Sequence, residues 1–243
     1  MKKKFDTRDI IGLIAVVLCI ATVMIASAKL GNTRYYIPSS IVLVLALIAF
    51  LASFRQRKPK AMEFIVLFVL CVISIAFRAI FTAFPALKPS TGVIVITGMA
   101  FGPQAGFLTG AASMLMSNAF FGQGPWTPWQ MVAIGLAGYI PGILVRFGVL
   151  KKDGNRIVIA LLGYLLVQLI VGPFLDTCSM FLTWGMPTNT GILDLLKSGI
   201  PYNAVHATAT ALLLLLLYDP IMDKLDRIKT KYCLMEEDEM YEV

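Results

Sequence analysis

Apolar residues in this chain fall into long runs separated by short polar or basic segments, with none of the alternation that marks half-buried strands. Ile10 to Ala28 is a nearly unbroken apolar run of 19 residues, long enough to cross ~30 Å of hydrocarbon. Lys29 to Tyr36 makes a short loop, and Pro38 sits in the first turn of a second run, Ile37 to Phe54. After Arg55-Gln56-Arg57-Lys58-Pro59-Lys60 a third run extends from Met62 to Phe84 and stops at Pro85. Three further runs follow: Trp129 to Leu150 with Pro141 inside it, Ile157 to Trp184, and Gly199 to Tyr218. A polar loop is predicted over Gly185 to Ser198.

Between Thr91 and Phe121 the pattern changes. Glycines recur at Gly98, Gly102, Gly106 and Gly110, a chain of small-x-x-x-small spacings broken at Gly102-Pro103. This predicts two short helices packed backbone to backbone. The first, from about Pro89 to Phe101, is only ~20 Å long and cannot span a bilayer unaided, so it must be sheltered by protein or line a cavity. Counting this pair as two, the chain has eight helical segments.

The composition, 58% apolar and 14% charged with mean hydropathy +0.80, is that of an integral membrane protein. The formal charge of +7 does not point to nucleic acid, because the basic residues flank the apolar runs and form no patch interleaved with exposed aromatics. Fifteen Lys and Arg fall in segments on one side (Lys2 to Arg8, Arg55 to Lys60, Lys151 to Arg156, Lys224 to Lys231) and four on the other (Lys29, Arg34, Lys88, Lys197). That bias predicts a multi-pass protein of the plasma membrane with both termini cytoplasmic. Ala26-Ser27-Ala28 has the form of a leader cleavage site, but the preceding run exceeds the usual ~7–15 residues, which predicts an uncleaved anchor. The four cysteines are scattered with no C-x-x-C pair, so they indicate neither disulfides nor a metal. Glu236 to Glu239 reads as a solvated end.

The orientation places Phe120-Phe121-Gly122-Gln123-Gly124-Pro125-Trp126-Thr127-Pro128-Trp129-Gln130-Met131 outside. Two glycines and two prolines make this connector stiff and shaped, and its indoles and glutamines suit a lid over a ligand or an interfacial girdle. Arg78, Asp176 and His206 each lie ~10–12 Å below the outer surface by residue count, in one layer. An ionised side chain at that depth costs at least ~2.5–3.5 kcal/mol unless it faces the interior, so Arg78 and Asp176 are expected near one another beneath the connector, with Asn118, Gln168, Asn203 and His206. Candidate ligand contacts are Arg78, Lys88, Asn118, Gln123, Trp126, Trp129, Gln130, Asp176, Asn203 and His206. The bland readings are that the polar residues only pin helices and that the indoles only mark the interface. No G-x-x-x-x-G-K-[ST], H-E-x-x-H or G-x-S-x-G is present, so no catalytic residue, cofactor or metal is assigned.

Phe84-Pro85-Ala86-Leu87-Lys88-Pro89, Ile96-Thr97-Gly98-Met99-Ala100-Phe101-Gly102-Pro103-Gln104-Ala105-Gly106-Phe107 and the connector together resemble the substrate-specific S component of energy-coupling factor transporters, over about Ala61 to Tyr232. The resemblance implies an all-α membrane fold with a six-helix core, here Met62 to Tyr218, binding a vitamin-type micronutrient under its outer loops. The cobalamin-type subgroup is the nearest, with riboflavin, thiamine and queuosine-like solutes open. It also implies docking on a membrane coupling subunit, the T component, driven by two ABC ATPases, with toppling in the bilayer to release cargo. The resulting domain scheme is an N-terminal two-helix hairpin (1–60), the binding core with short, glycine-spaced second and third helices (61–220) and a charged cytoplasmic tail (221–243). The hairpin departs from the usual six helices, and Cys71, Ser74 and Ala76 break the Ala-x-x-x-Ala docking patch, which recurs only as Ala79-x-x-x-Ala83. Two rival readings are a polytopic membrane enzyme acting on lipid, which needs Asp176 and His206 within hydrogen-bond reach, and a structural membrane subunit without a ligand.

Overall fold

The computed structural model describes residues 61–124, 126–183 and 189–234, together with Ile41 and Leu45, which are helical and exposed. The expectations for Ile10 to Ala28, for most of Ile37 to Phe54, for Pro125 and Trp184, and for Glu236 to Glu239 lie outside the described residues.

All the described regular structure is helical. The helices are α1 (Ala61–Ile80), α2 (Ser90–Phe101), α3 (Pro103–Phe121), α4 (Thr127–Arg146), α5 (Arg156–Leu166), α6 (Gly172–Thr183) and α7 (Asn189–Tyr232). A π-helical turn, Val167–Val171, joins α5 to α6 without a break, so the two act as one rod. Its cause is Pro173, which has no N–H for Leu169 and whose ring would crowd that carbonyl; a wider turn just before it absorbs the mismatch. Six helical rods therefore run from Ala61 onward. Among the described residues four stretches are long and apolar enough to cross a membrane: Ala61–Ile80, Thr127–Arg146, Arg156–Asp176 and Lys197–Tyr232. This is an all-α membrane protein.

At the centre stands α2, with all twelve of its residues buried. A helix apolar on every side is stable only when surrounded, and α1, α3, α4 and α7 all pack on it. The glycines make this possible. A Cβ on Gly98 would fall 1.9 Å from the Gly138 carbonyl oxygen, one on Gly106 2.6 Å from the same atom, and one on Gly142 2.6 Å from the Pro103 nitrogen. The glycine ladder of α2 and α3 thus closes against a second ladder on α4, and the seam joins three helices where the sequence pattern suggested two. Gly102, at φ +92, makes the reversal between α2 and α3 that an L-residue resists.

Several boundaries differ from the hydrophobic runs. α1 ends at Ile80, and residues 81–87 form consecutive turns, for example Phe84 N–H to Phe81 O and Leu87 N–H to Phe84 O. Of the glycine-spaced pair only α2 falls far short of a bilayer, since α3 has 19 residues, ~28 Å. The loop predicted over Gly185 to Ser198 is helical from Asn189, and α7 continues past Tyr218 and through Pro220 to Tyr232. At 44 residues, ~66 Å, α7 is twice a bilayer's hydrocarbon thickness. Its polar flanks carry enough helix propensity to extend it, and burial of Met222 and Leu225 rewards the extension.

Candidate functional site

The end of α1, the start of α2, the end of α3, the start of α4, α6 and the first half of α7 meet at one end of the bundle, opposite the basic loop at 147–155. At this connector end the polar side chains form two clusters.

The first is built on the α3–α4 connector. The Asn118 amide donates to Thr127 Oγ1 at 2.9 Å and to Gln130 Oε1 at 2.8 Å. Thr127 Oγ1 donates to Gln123 Oε1 at 2.9 Å and accepts from the Gly124 N–H at 3.3 Å. Gln123 in turn donates to the Leu115 carbonyl at 2.9 Å. The connector is therefore tied down by its own amides and by Asn118, at positions where the backbone lacks helical partners. Gly122 takes φ +106, and Gly124 leaves room for the Trp126 indole, whose ring atoms would lie 2.4 Å from a Cβ there. Trp126 is 40% exposed at the surface of this turn, whereas Trp129 is 2% exposed and packs on Phe174 with ring centroids 5.0 Å apart. The two indoles thus have different roles: only Trp126 faces outward.

Arg78 belongs to this cluster. It lies in the last turn of α1, nearer the helix end than the apolar run implied. Its guanidinium donates to Ser117 Oγ at 2.5 Å, meets Met114 Sδ at 3.5 Å and lies 5.3 Å from the Phe121 ring centroid. A hydroxyl, a polarizable sulfur and an aromatic face thus partner the guanidinium.

The second cluster lies between α6, α7 and the start of α2. Asp176 accepts from the Asn203 amide at 2.7 Å, and its carboxylate rests on Gly199, where a Cβ would lie 2.2 Å from Oδ2. Asn203 itself is seated on Gly172, so two glycines bring the polar groups of neighbouring helices together. His206, 2% exposed, has Nε2 2.8 Å from Thr91 Oγ1 in the first turn of α2. Lys88 stands 5.4 Å from the centroid of Tyr202, whose hydroxyl donates to the Pro85 carbonyl at 2.6 Å. The α1–α2 loop is thereby pinned to α7.

Arg78 and Asp176, which were expected near one another, take separate hydrogen-bond partners. Each is satisfied by a neutral partner on a different helix, Arg78 by α3 and Asp176 by α7. Asp176 and His206 likewise have separate partners, Asn203 and Thr91. Ten predicted residues are thus distributed as six in or beside the connector (Arg78, Asn118, Gln123, Trp126, Trp129, Gln130) and four around α7 (Lys88, Asp176, Asn203, His206). Ser117 and Tyr202 were not singled out as partners. The clue for Ser117 and Tyr202 was adjacency to the chosen Asn118 and Asn203, and only the packing reveals which side chain receives which donor.

Among the described residues, two acceptors in this layer are buried without a hydrogen-bond partner, Asn118 Oδ1 and Gln168 Oε1. Gln168 lies in the π turn. Unsatisfied buried acceptors each cost ~1–3 kcal/mol, and π turns concentrate at functional sites.

A family model described as ECF-type riboflavin transporter, S component, matches residues 60–223, more than half of the chain. No solved structure matches the chain.

Proposed function

This chain belongs to the family of ECF-type riboflavin transporter S components, and we propose that it captures a ring-bearing vitamin at the connector end of its bundle. It is the substrate-binding component of an energy-coupling factor importer; the cargo, the contacts and the partners are our reading. The observation that carries the reading is Asn118 Oδ1, a buried acceptor with no donor, on a side chain whose amide nitrogen is tied to Thr127 and Gln130 of the connector. A ligand N–H or O–H in that place would complete it.

The shape of the bundle supports this. α3 is seven residues longer than α2, so if the two leave Gly102 side by side, the start of α2 is recessed by ~10 Å below the end of α3. Trp126 offers a stacking face at the rim, Arg78 and Lys88 offer cations, and the Gly and Pro of the connector keep the lid in shape. Between the two leading cargoes, the family's description favours riboflavin, a flat tricyclic ring with an imide N–H; cobalamin, to which the connector's likeness pointed, is much larger. By the basic-residue bias the connector end faces outside and both termini face the cytoplasm. The T component and two ABC ATPases would supply the coupling and the energy.

The test is titration of the purified full chain with riboflavin and, separately, with cobalamin, together with native mass spectrometry of protein from its own host. Saturable binding of riboflavin that weakens in Asn118→Leu supports the reading. Binding of cobalamin alone would replace the cargo, and no ligand in any of these measurements would overturn the proposed cargo and its contacts.

A further inference from the structure

The opposite, basic end of the bundle holds a contact that the binding site does not use. The carbonyl oxygen of Ala100, in the last turn of α2, receives two lysines: Lys152 Nζ from the α4–α5 loop at 3.5 Å, and Lys229 Nζ from the far end of α7. Lys229 also lies 5.0 Å from the Phe101 ring centroid. Cations are favourable at a helix C-terminus, where unpaired carbonyls carry the negative end of the dipole.

For Lys229 to be there, α7 must bend. In a straight helix Lys229 lies about 35 Å beyond His206, whereas Thr91 and Ala100, which those two residues touch, are about 14 Å apart along α2. A lysine side chain makes up only part of the difference. Pro220 lies between the two contacts and leaves the Leu216 carbonyl without its helical donor, the usual cause of a kink. Beyond it Met222, Leu225 and Leu234 are buried in the same cluster as Met99 and Phe101 of α2. The segment ends in a Schellman turn: Cys233 takes φ 47, and the Leu234 N–H returns to the Lys229 carbonyl at 3.0 Å, turning Leu234 inward. Tyr218 Oη donates to the Lys152 carbonyl at 2.8 Å and so ties the loop that supplies the second lysine to the same helix.

We infer that residues 221–234 are a strap across the basic end of the bundle and that Lys229 is a positioning residue for α2. Through α7 the two ends of α2 are held together, Thr91 by His206 and Ala100 by Lys229. Release of Lys229 frees the buried helix to shift along the glycine seam and loosens the Thr91–His206 contact at the ligand end. The effect on ligand affinity rests on the proposed function; the latch itself does not.

The experiment uses the full chain in lipid nanodiscs, with Lys229→Met, Lys229→Arg, Lys152→Met and the exposed control Lys231→Met, and reads amide hydrogen exchange and riboflavin titration. Lys229→Met is expected to raise exchange at least 10-fold at residues 98–104 and also at 90–93, and to weaken riboflavin binding at least 5-fold. Lys229→Arg restores both, Lys152→Met reproduces the pattern more weakly, and Lys231→Met changes neither. Increased exchange confined to 221–234, or none, overturns the latch. If wild-type protein binds no riboflavin, the cargo assignment fails, and exchange alone still decides the latch.

Discussion

Gly98 and Gly138 lie so close that a Cβ on the first would sit 1.9 Å from the carbonyl oxygen of the second and 2.8 Å from its carbonyl carbon. No rotamer relieves a clash with backbone. Gly98→Ala is therefore expected to cost at least about 3 kcal/mol, seen as a melting temperature lower by roughly 10 °C in detergent or as failure to accumulate in the membrane. Gly122→Ala is the control. Nothing lies within 4 Å of its Cβ, so only the strain of φ +106 remains, about 1 kcal/mol. Equal melting of Gly98→Ala and wild type would show that the three-helix seam is not closed.

Asp176 depends on Asn203 for the donor that keeps it in the helix interface. Asn203→Ala removes that donor and leaves the carboxylate to seek water, a loss of about 1–3 kcal/mol in thermal stability. Asp176→Asn keeps hydrogen-bonding capacity at the same place and is expected to melt within about 1 kcal/mol of wild type. If the two variants fall equally, charge rather than the hydrogen bond holds α6 to α7.

Arg78→Ala is expected to weaken ligand binding about 10-fold, equivalent to 1.4 kcal/mol, while the protein stays folded. Arg78→Lys should lie between, because an ammonium can reach Ser117 but cannot stack as a planar group on Phe121. Unchanged affinity for a bound vitamin in both variants would reduce Arg78 to a helix pin.

The contrast between the indoles yields a spectroscopic prediction. Trp126 is 40% exposed and Trp129 only 2%. Ligand-induced quenching of tryptophan fluorescence should therefore largely vanish in Trp126→Phe, with affinity lower by about 0.5–1.5 kcal/mol for loss of a stacking face in Trp126→Ala. Quenching that survives in Trp126→Phe would show that Trp129 or Trp184 senses the ligand and would overturn the stacking role of Trp126.

Cys233 is exposed at the end of the strap, while Cys71 and Cys178 are buried. In a Cys19→Ser background, an impermeant maleimide should label Cys233 only after the membrane is opened, because the basic-residue bias puts this end in the cytoplasm. Labelling of intact cells would invert the topology, and the connector with it.

The membrane class, the apolar spans and the stiff connector were legible along the chain because each is written in contiguous composition: hydrocarbon demands runs of apolar residues, basic flanks follow one side, and Gly and Pro restrict the backbone locally. The site residues were partly legible for the same reason, since polar residues inside apolar runs stand out. What stood out was identity and depth. The facing direction of each side chain was not written there, because helices related by long-range packing decide it; so Arg78 went to Ser117 and Phe121, and Asp176 to Asn203.

Helix ends were the other casualty. Hydropathy marks where hydrocarbon stops, whereas a helix stops where its carbonyls are capped, and for α7 that is the Schellman turn at Cys233, well past the last apolar run. The sequence by itself determined that this chain spans a membrane with a glycine-lined, sheltered short helix beside a constrained loop. Only the tertiary structure decided that α4 completes the glycine seam and that α7 bends to hold both ends of α2, because close backbone approach and a bend around a proline depend on partners far away in the chain.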